Sequence, residues 1–255
     1  MMNLTFLGSG CWQGIPSPFA DDKISKKVKW NSKDFRFRTS LLLETKNKKK
    51  IVIEITPDIR LQSWKFKIGK PEAVLVSHCH WDHFFGLMDI SWYAEKNKLK
   101  VYGNSVTNSF YKSKMSHIPV IFKEFNSYEP FVIDNIKITP ISVNHINKTD
   151  GFLFENKTDN KKVAYLPDLN GLPKKTKEII EGIDAIIIDA TYLGSNLKDD
   201  SDHFNNDQLL DFLPGLKAKE IILTNIGSYH GLNHNNLAKK FSQYTISYDG
   251  MKRKY

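Results

Sequence analysis

Apolar residues along this chain fall into short runs of strand length separated by polar turns. Such runs occupy Leu4–Leu7, Ser40–Glu44, Ile51–Ile55, Ala73–Ser77, Lys100–Tyr102, Val120–Phe122 and Ile136–Val143. They continue at Phe152–Glu155, Lys162–Leu166, Ala185–Asp189 and Glu220–Thr224. Helical spacing fits the segment after Asp82 and the segments Thr107–Ser113, Lys174–Glu181, Asn206–Phe212 and Asn235–Phe241. Lys46–Lys50 and Thr158-Asp159-Asn160 read as hairpin tips. Residues 11–37 are the least regular and read as a long loop. There is no fixed-period repeat and no proline- or serine-rich linker, so a single domain over 1–255 is expected. A strand-rich first half, roughly 1–98, ends in a helix, and residues 99–255 repeat the order of strands, then helix, strand and helix. Two such halves can pack sheet on sheet with helices outside, a four-layer α/β/β/α sandwich.

The composition narrows the setting. The chain has 255 residues, 40% of them hydrophobic, enough to bury a large core. No apolar run approaches the roughly 18 residues of a membrane span, so no membrane partner is expected. The start, Met1-Met2-Asn3-Leu4-Thr5, reads as a first strand and not as a signal peptide. Two cysteines, Cys11 and Cys79, make no disulfide framework, and a reducing cytoplasm is the default. The net charge of +9 suits phosphate-bearing substrates or nucleic acid. However, the lysines are scattered, as at Lys48–Lys50, Lys161-Lys162 and Lys174-Lys175, and no arginine-rich stripe with interleaved aromatics occurs. Nucleic acid therefore ranks behind a small phosphate ester as partner.

The chemistry concentrates in His78-Cys79-His80-Trp81-Asp82-His83. Residues two apart in an extended segment point the same way, so His78 and His80 can reach one metal together. Asp82 and His83 follow once the chain turns and can face a second ion. Imidazole and carboxylate are ligands of zinc, and also of iron and manganese. Four ligand-type residues in six positions favour metal binding over a solvated polar loop.

This stretch resembles the HxHxDH signature of the metallo-β-lactamase fold. Other parts follow in the family's order: Phe6-Leu7-Gly8-Ser9-Gly10, Arg38-Thr39-Ser40, Ile53-Glu54-Ile55-Thr56-Pro57-Asp58, Val143-Asn144-His145 and Tyr165-Leu166-Pro167-Asp168. Gly14-Ile15-Pro16, Ile186–Tyr192 and Asp202-His203-Phe204 resemble one branch, the phosphodiesterases that open cyclic phosphates of ribose. The resemblance implies the α/β/β/α sandwich and a binuclear centre of two divalent ions, zinc foremost with manganese or iron also suited. It implies His78, His80 and His145 on one ion, Asp82 and His83 on the other, and Asp168 bridging. A hydroxide between the ions would attack the phosphorus. His203 is the implied general acid, and Asp58 is expected behind a ligand histidine.

Two departures stand out. Only Cys11 lies in the early loop where relatives carry a zinc-binding cysteine cluster, so no structural zinc is expected. The family's fifth motif is a Thr-His pair, but Thr224 is followed here by Asn225. Either a longer loop brings His230 to the second metal, the favoured expectation, or Asn225 takes the position and weakens that site. The expected activity is hydrolysis of a small or cyclic phosphodiester. A tRNA 3′-processing-type nuclease and a non-hydrolytic cofactor-biosynthesis relative are the alternatives. A homodimer is the default assembly.

Overall fold

The computed structural model describes residues 1–197 and 202–255. The first sheet is built mostly from the N-terminal part: β1 (Asn3–Gly8), β2 (Ser40–Glu44), β3 (Lys50–Ile53), β4 (Ala73–Leu75), β5 (Lys100–Gly103) and β6 (Ile121–Glu124). Helices α1 (Ile59–Phe66), α2 (Trp81–Phe84), α3 (Ser91–Asn97) and α4 (Ser105–Phe110) are threaded between these strands. The second sheet takes β7 (Phe131–Ile133), β8 (Ile136–Val143), β9 (Thr149–Asn156), β10 (Lys162–Leu166), β11 (Ile183–Asp189), β12 (Ala218–Thr224) and β13 (Thr245–Ile246). Helices α5 (Lys174–Ile179), α6 (Asn206–Phe212) and α7 (His234–Lys240) accompany it, and β14 (Lys252–Lys254) returns to the first sheet. The strand orders are β14-β1-β2-β3-β4-β5-β6 and β13-β12-β11-β10-β9-β8-β7. The chain thus changes sheets between β6 and β7 and not near residue 98, because β5 and β6 extend the parallel series begun by β3 and β4.

Period two explains the layering. Leu41, Leu43, Val163, Tyr165, Ala185 and Ile187 point between the sheets and meet Phe152 and Phe154 there. Their neighbours Leu42, on the first sheet, and Ala164, Leu166, Ile186 and Ile188, on the second, point outward under helices. Strands buried on both faces read as continuous apolar runs, as these do. The result is the four-layer α/β/β/α sandwich. Among the described residues no helix is long and apolar enough to cross a membrane.

Local chemistry sets several boundaries. Asn205 caps α6 by accepting from the Gln208 amide while Gln208 returns a bond to the Asn205 amide, a reciprocal capping box. Asn104 and Asn233 cap α4 and α7 in the same donor-accepting way. The strands missed from sequence, β7, β13 and β14, have two or three residues each, too short to show a period.

Residues 11–37 do form a long loop, pinned without regular structure. Arg36, 2% exposed, donates from Nη1 to Ser9 Oγ at 2.7 Å and to the Ser247 carbonyl at 2.6 Å. Asp249 accepts from the Phe37 amide at 2.7 Å. Trp30, Phe35 and Phe37 form an aromatic cluster with the Lys65 ammonium over their rings. Arg36 and the ring cluster together hold the loop onto the first strand.

Candidate metal centre

Most of the chemically interesting side chains lie at or just past the C-terminal end of a strand. His78 and His80 follow β4, His145 follows β8, Asp168 follows β10, Asp189 ends β11 and Asn225 follows β12. Parallel pairing of β10, β11 and β12 brings Asp168, Asp189 and Asn225 to one edge. Asn104 fixes the histidine loop: its amide donates to the Ser77 carbonyl at 3.2 Å and to Asp150 Oδ2 at 3.1 Å. Gly86 fixes its far end. The Gly86 amide donates to the Ile55 carbonyl at 2.9 Å, and the Ile55 amide to the His83 carbonyl at 2.8 Å.

Two groups of ligand atoms form, each lying within 4.8 Å of one another: His78, His80, His145 and Asp168, and then Asp82, His83 and Asp168. His80 Nδ1 and His145 Nε2 stand 3.4 Å apart. Their outer nitrogens are anchored, His80 Nε2 by the Asn147 amide at 2.8 Å and His145 Nδ1 by the Asp202 carbonyl at 2.8 Å. His78 Nδ1 bonds Ser77 Oγ at 2.8 Å. His83 Nε2 is 3.2 Å from Asp82 Oδ2 and 3.2 Å from Asp168 Oδ2, and Glu54 Oε2 lies 3.4 Å behind its Nδ1.

These residues fit a divalent ion. His78 Nε2 and His83 Nε2 are buried without a hydrogen-bond partner and face other ligand atoms. Burying an unpartnered imidazole nitrogen carries a cost that a metal would remove. Burial drives the His78 imidazole well below its ordinary pKa, helped by His83, which leaves a neutral ligand. Burial opposes charge on His83, yet Asp168, Asp82 and Glu54 together lift it well above the ordinary value. Burial likewise opposes charge on Asp168, but His83 and His203 outweigh it and hold the carboxyl well below its ordinary range. Three carboxylates around one imidazole call for positive charge, which a bound cation would supply.

The structure brings His78, His80, Asp82, His83, His145 and Asp168 together. His203 joins them: its Nδ1 meets Asp189 Oδ2 at 2.7 Å, and its Nε2 is 3.8 Å from Asp168 Oδ2. His230 stands apart from both groups. The segment after Thr224 is tied to the first strand, with the Ile226 amide donating to the Ser9 carbonyl at 2.9 Å. The following turn carries His230 away, where its Nδ1 accepts from the Leu232 amide at 2.9 Å. Burial lowers its pKa to about 4, with Arg36 adding to the effect. Asn225 stands beside Asp168 instead, with Nδ2 2.8 Å from Asp168 Oδ1.

Asp58 does not stand behind a histidine. It takes the Arg38 guanidinium at 2.9 Å and the Arg38 amide at 2.9 Å, and Arg38 lies over the Trp81 ring. Glu54 holds the place expected of Asp58. The sequence signal was there, a lone carboxylate inside the apolar run Ile51–Ile55. Asn147 was also missed; one polar residue in a loop carries no signal of its own.

A family model, the beta-lactamase superfamily domain, matches residues 49–226. The chain belongs to this superfamily, and its His/Asp cluster is compatible with binding a divalent metal. The crystal structure of a diphosphatase from the PhnP family is 25% identical, with a TM-score of 0.86, covering 100% of this chain and 98% of that one. Zinc-bound PqqB from Methylobacterium extorquens is 17% identical with a TM-score of 0.84, covering 99% and 100%. The short form of human tRNase Z is 18% identical with a TM-score of 0.68, covering 99% and 98%. The last two show a shared fold. A curated relative named octanoyltransferase, from Porphyromonas gingivalis, is 25% identical over 98% of this chain. The chain spans about half the length of that relative, 51%.

Proposed function

We propose that this chain is a metal-dependent hydrolase that cleaves a small or cyclic phosphodiester. The observation that carries the reading is the convergence of His78, His80, His145, Asp168, Asp82 and His83 beside an Asp-anchored His203. Bound ions would polarise a phosphoryl oxygen and ready a water for attack. His78, His80, His145 and Asp168 would hold one ion, and Asp82, His83 and Asp168 the other.

The protein's own groups do the remaining work. Asp189 fixes the ring of His203 so that Nε2 faces the site, and His203 hands its proton to the leaving oxygen. Glu54 fixes His83 by its Nδ1, as a carboxylate behind a ligand histidine does. Arg38, held by Asp58, orients a phosphate at the rim. Similarity to the diphosphatase supports a phosphate substrate, and the charge of +9 agrees with it.

One observation favours a second reading. Asn225, where the family's motif has histidine, fits a non-hydrolytic relative with one weakened ion site. A chelation experiment separates the two. Stripping metal should abolish turnover of bis(p-nitrophenyl) phosphate, and zinc or manganese should restore it. A folded protein that turns over no diester with either metal would sink the hydrolase reading. A nuclease would differ again, losing substrate affinity steeply between 50 and 200 mM salt, on the order of 10³-fold, whereas a small ester loses far less.

A further inference from the structure

The metal centre carries an asymmetry that its ligand residues alone do not reveal. Asn225 Nδ2 lies 2.8 Å from Asp168 Oδ1, 3.0 Å from Asp189 Oδ1 and 3.2 Å from Thr191 Oγ1. Two carboxylate oxygens fix which way the amide faces. Turning it over would set its carbonyl oxygen against both of them. Asn225 Oδ1 is instead buried without a hydrogen-bond partner. What Asn225 presents to Asp168 is thus an N–H donor, with no lone pair for a cation. The backbone holds it there at a φ of 59°, a left-handed conformation that asparagine and histidine adopt more readily than most residues.

The two ligand groups then differ in number and in kind. The first offers three imidazole nitrogens and one carboxylate, a four-donor set suited to zinc. The second offers one imidazole and two carboxylates, and one of those is shared with the first group. Asp168 reaches both groups with a single oxygen, because Oδ2 is the atom near His78 and His83 while Oδ1 receives the Asn225 amide. Fewer donors bind more weakly, and an oxygen-rich set favours a harder ion.

We infer that this protein holds one ion tightly, in the His78–His80–His145–Asp168 group, and a second one weakly and exchangeably in the Asp82–His83–Asp168 group. The second site, poorer in nitrogen donors, holds zinc loosely and admits manganese, and Asn225 is the positioning residue that sets the difference. The inference rests on the metal-centre reading above.

Metal binding, measured apart from turnover, tests it. Chelator-stripped protein would be titrated with zinc by calorimetry, and zinc-loaded, desalted protein with manganese by electron paramagnetic resonance. The expected result is one zinc retained per chain after desalting and a second zinc event roughly 100-fold weaker or more. Manganese should fill one further site per chain. Asn225→His should tighten the second zinc event about 10–100-fold, with a smaller change at the first, which shares Asp168. Circular dichroism would confirm that the variant is folded; if it is not, the wild-type titrations decide alone. Two zinc ions of equal affinity in the wild type would overturn the inference. A folded Asn225→His protein with an unchanged second event would overturn it too. No divalent binding at all would remove the metal-centre reading itself, a distinguishable failure.

Discussion

Glu54→Gln should move metal affinity and apoprotein stability in opposite directions. Glu54 is fully buried, its Oε2 lies 3.4 Å from His83 Nδ1, and its Oε1 has no partner. Burial raises its pKa, and the attraction of His83 and the Ser77 contacts do not cancel that effect. Folding therefore disfavours the ionised form of Glu54 relative to the unfolded chain. Its contribution to stability is complete below the unfolded pKa near 4.5 and is lost as pH rises through the higher folded value. Glutamine mimics the protonated form at every pH. His83 is not stranded by the change, since Asp82 and Asp168 remain 3.2 Å from its Nε2. Removing the charge should stabilise the apoprotein at pH 7.5 by about 1–2 kcal/mol, within the penalty that an incompletely compensated buried polar group carries. That is a rise in Tm of about 2–8 °C for a chain of this size. Metal affinity should fall about 10–100-fold, or roughly 1.4–2.7 kcal/mol, because His83 loses the anion that fixes its ring and raises its basicity. Differential scanning calorimetry on stripped protein and calorimetric zinc titration measure the two effects. An apoprotein that is destabilised by the change, or an unchanged zinc affinity, would refute this reasoning.

Other outcomes follow from the same contacts. His80→Ala should eliminate the first ion and, with it, diester turnover, as read by elemental analysis; metal and activity surviving together would mean the site is misassigned. Gly86→Ala should cost about 1–3 kcal/mol or more in chemical denaturation, since an added Cβ would lie 2.0 Å from the Thr56 carbonyl oxygen. Partial burial raises the Asp184 carboxyl, but the Lys162 amide and the ammonium groups of Lys219 and Lys161 outweigh it and lower it to about 2. That stability is present above the unfolded pKa of 3.8 and is lost as pH falls towards 2. Asp184→Asn should therefore cost about 1 kcal/mol at neutral pH after solvent screening, with the difference from wild type vanishing near pH 2.

Much of the centre could be read from sequence because its ligands are set by local chain geometry. His78 and His80 leave a strand in extended form, and Asp82 and His83 begin the short helix that follows. Strand periodicity similarly exposed the sandwich, since long apolar runs such as Ile136–Val143 are buried on both faces. Helix α6 was legible over its full length because Asn205 and Gln208 supply its capping signal. Helix α1 was not; it follows Pro57-Asp58 and buries only Ile59 and Gln62, which leaves no apolar stripe. His230 was placed by counting residues along a loop, and counting cannot show that Ile226 is tied to Ser9 and turns the chain away. Glu54 and Asn225 act between neighbouring strands of their own sheets, through contacts no spacing rule encodes.

The central claim is metal-dependent phosphodiester hydrolysis, and its most direct test is elemental analysis of the purified protein paired with turnover of bis(p-nitrophenyl) phosphate. The expected result is at least one divalent ion per chain, turnover that rises as manganese or zinc fills the second site, and loss of both on chelation. A folded protein that holds no metal and cleaves no diester after either ion is added would contradict it.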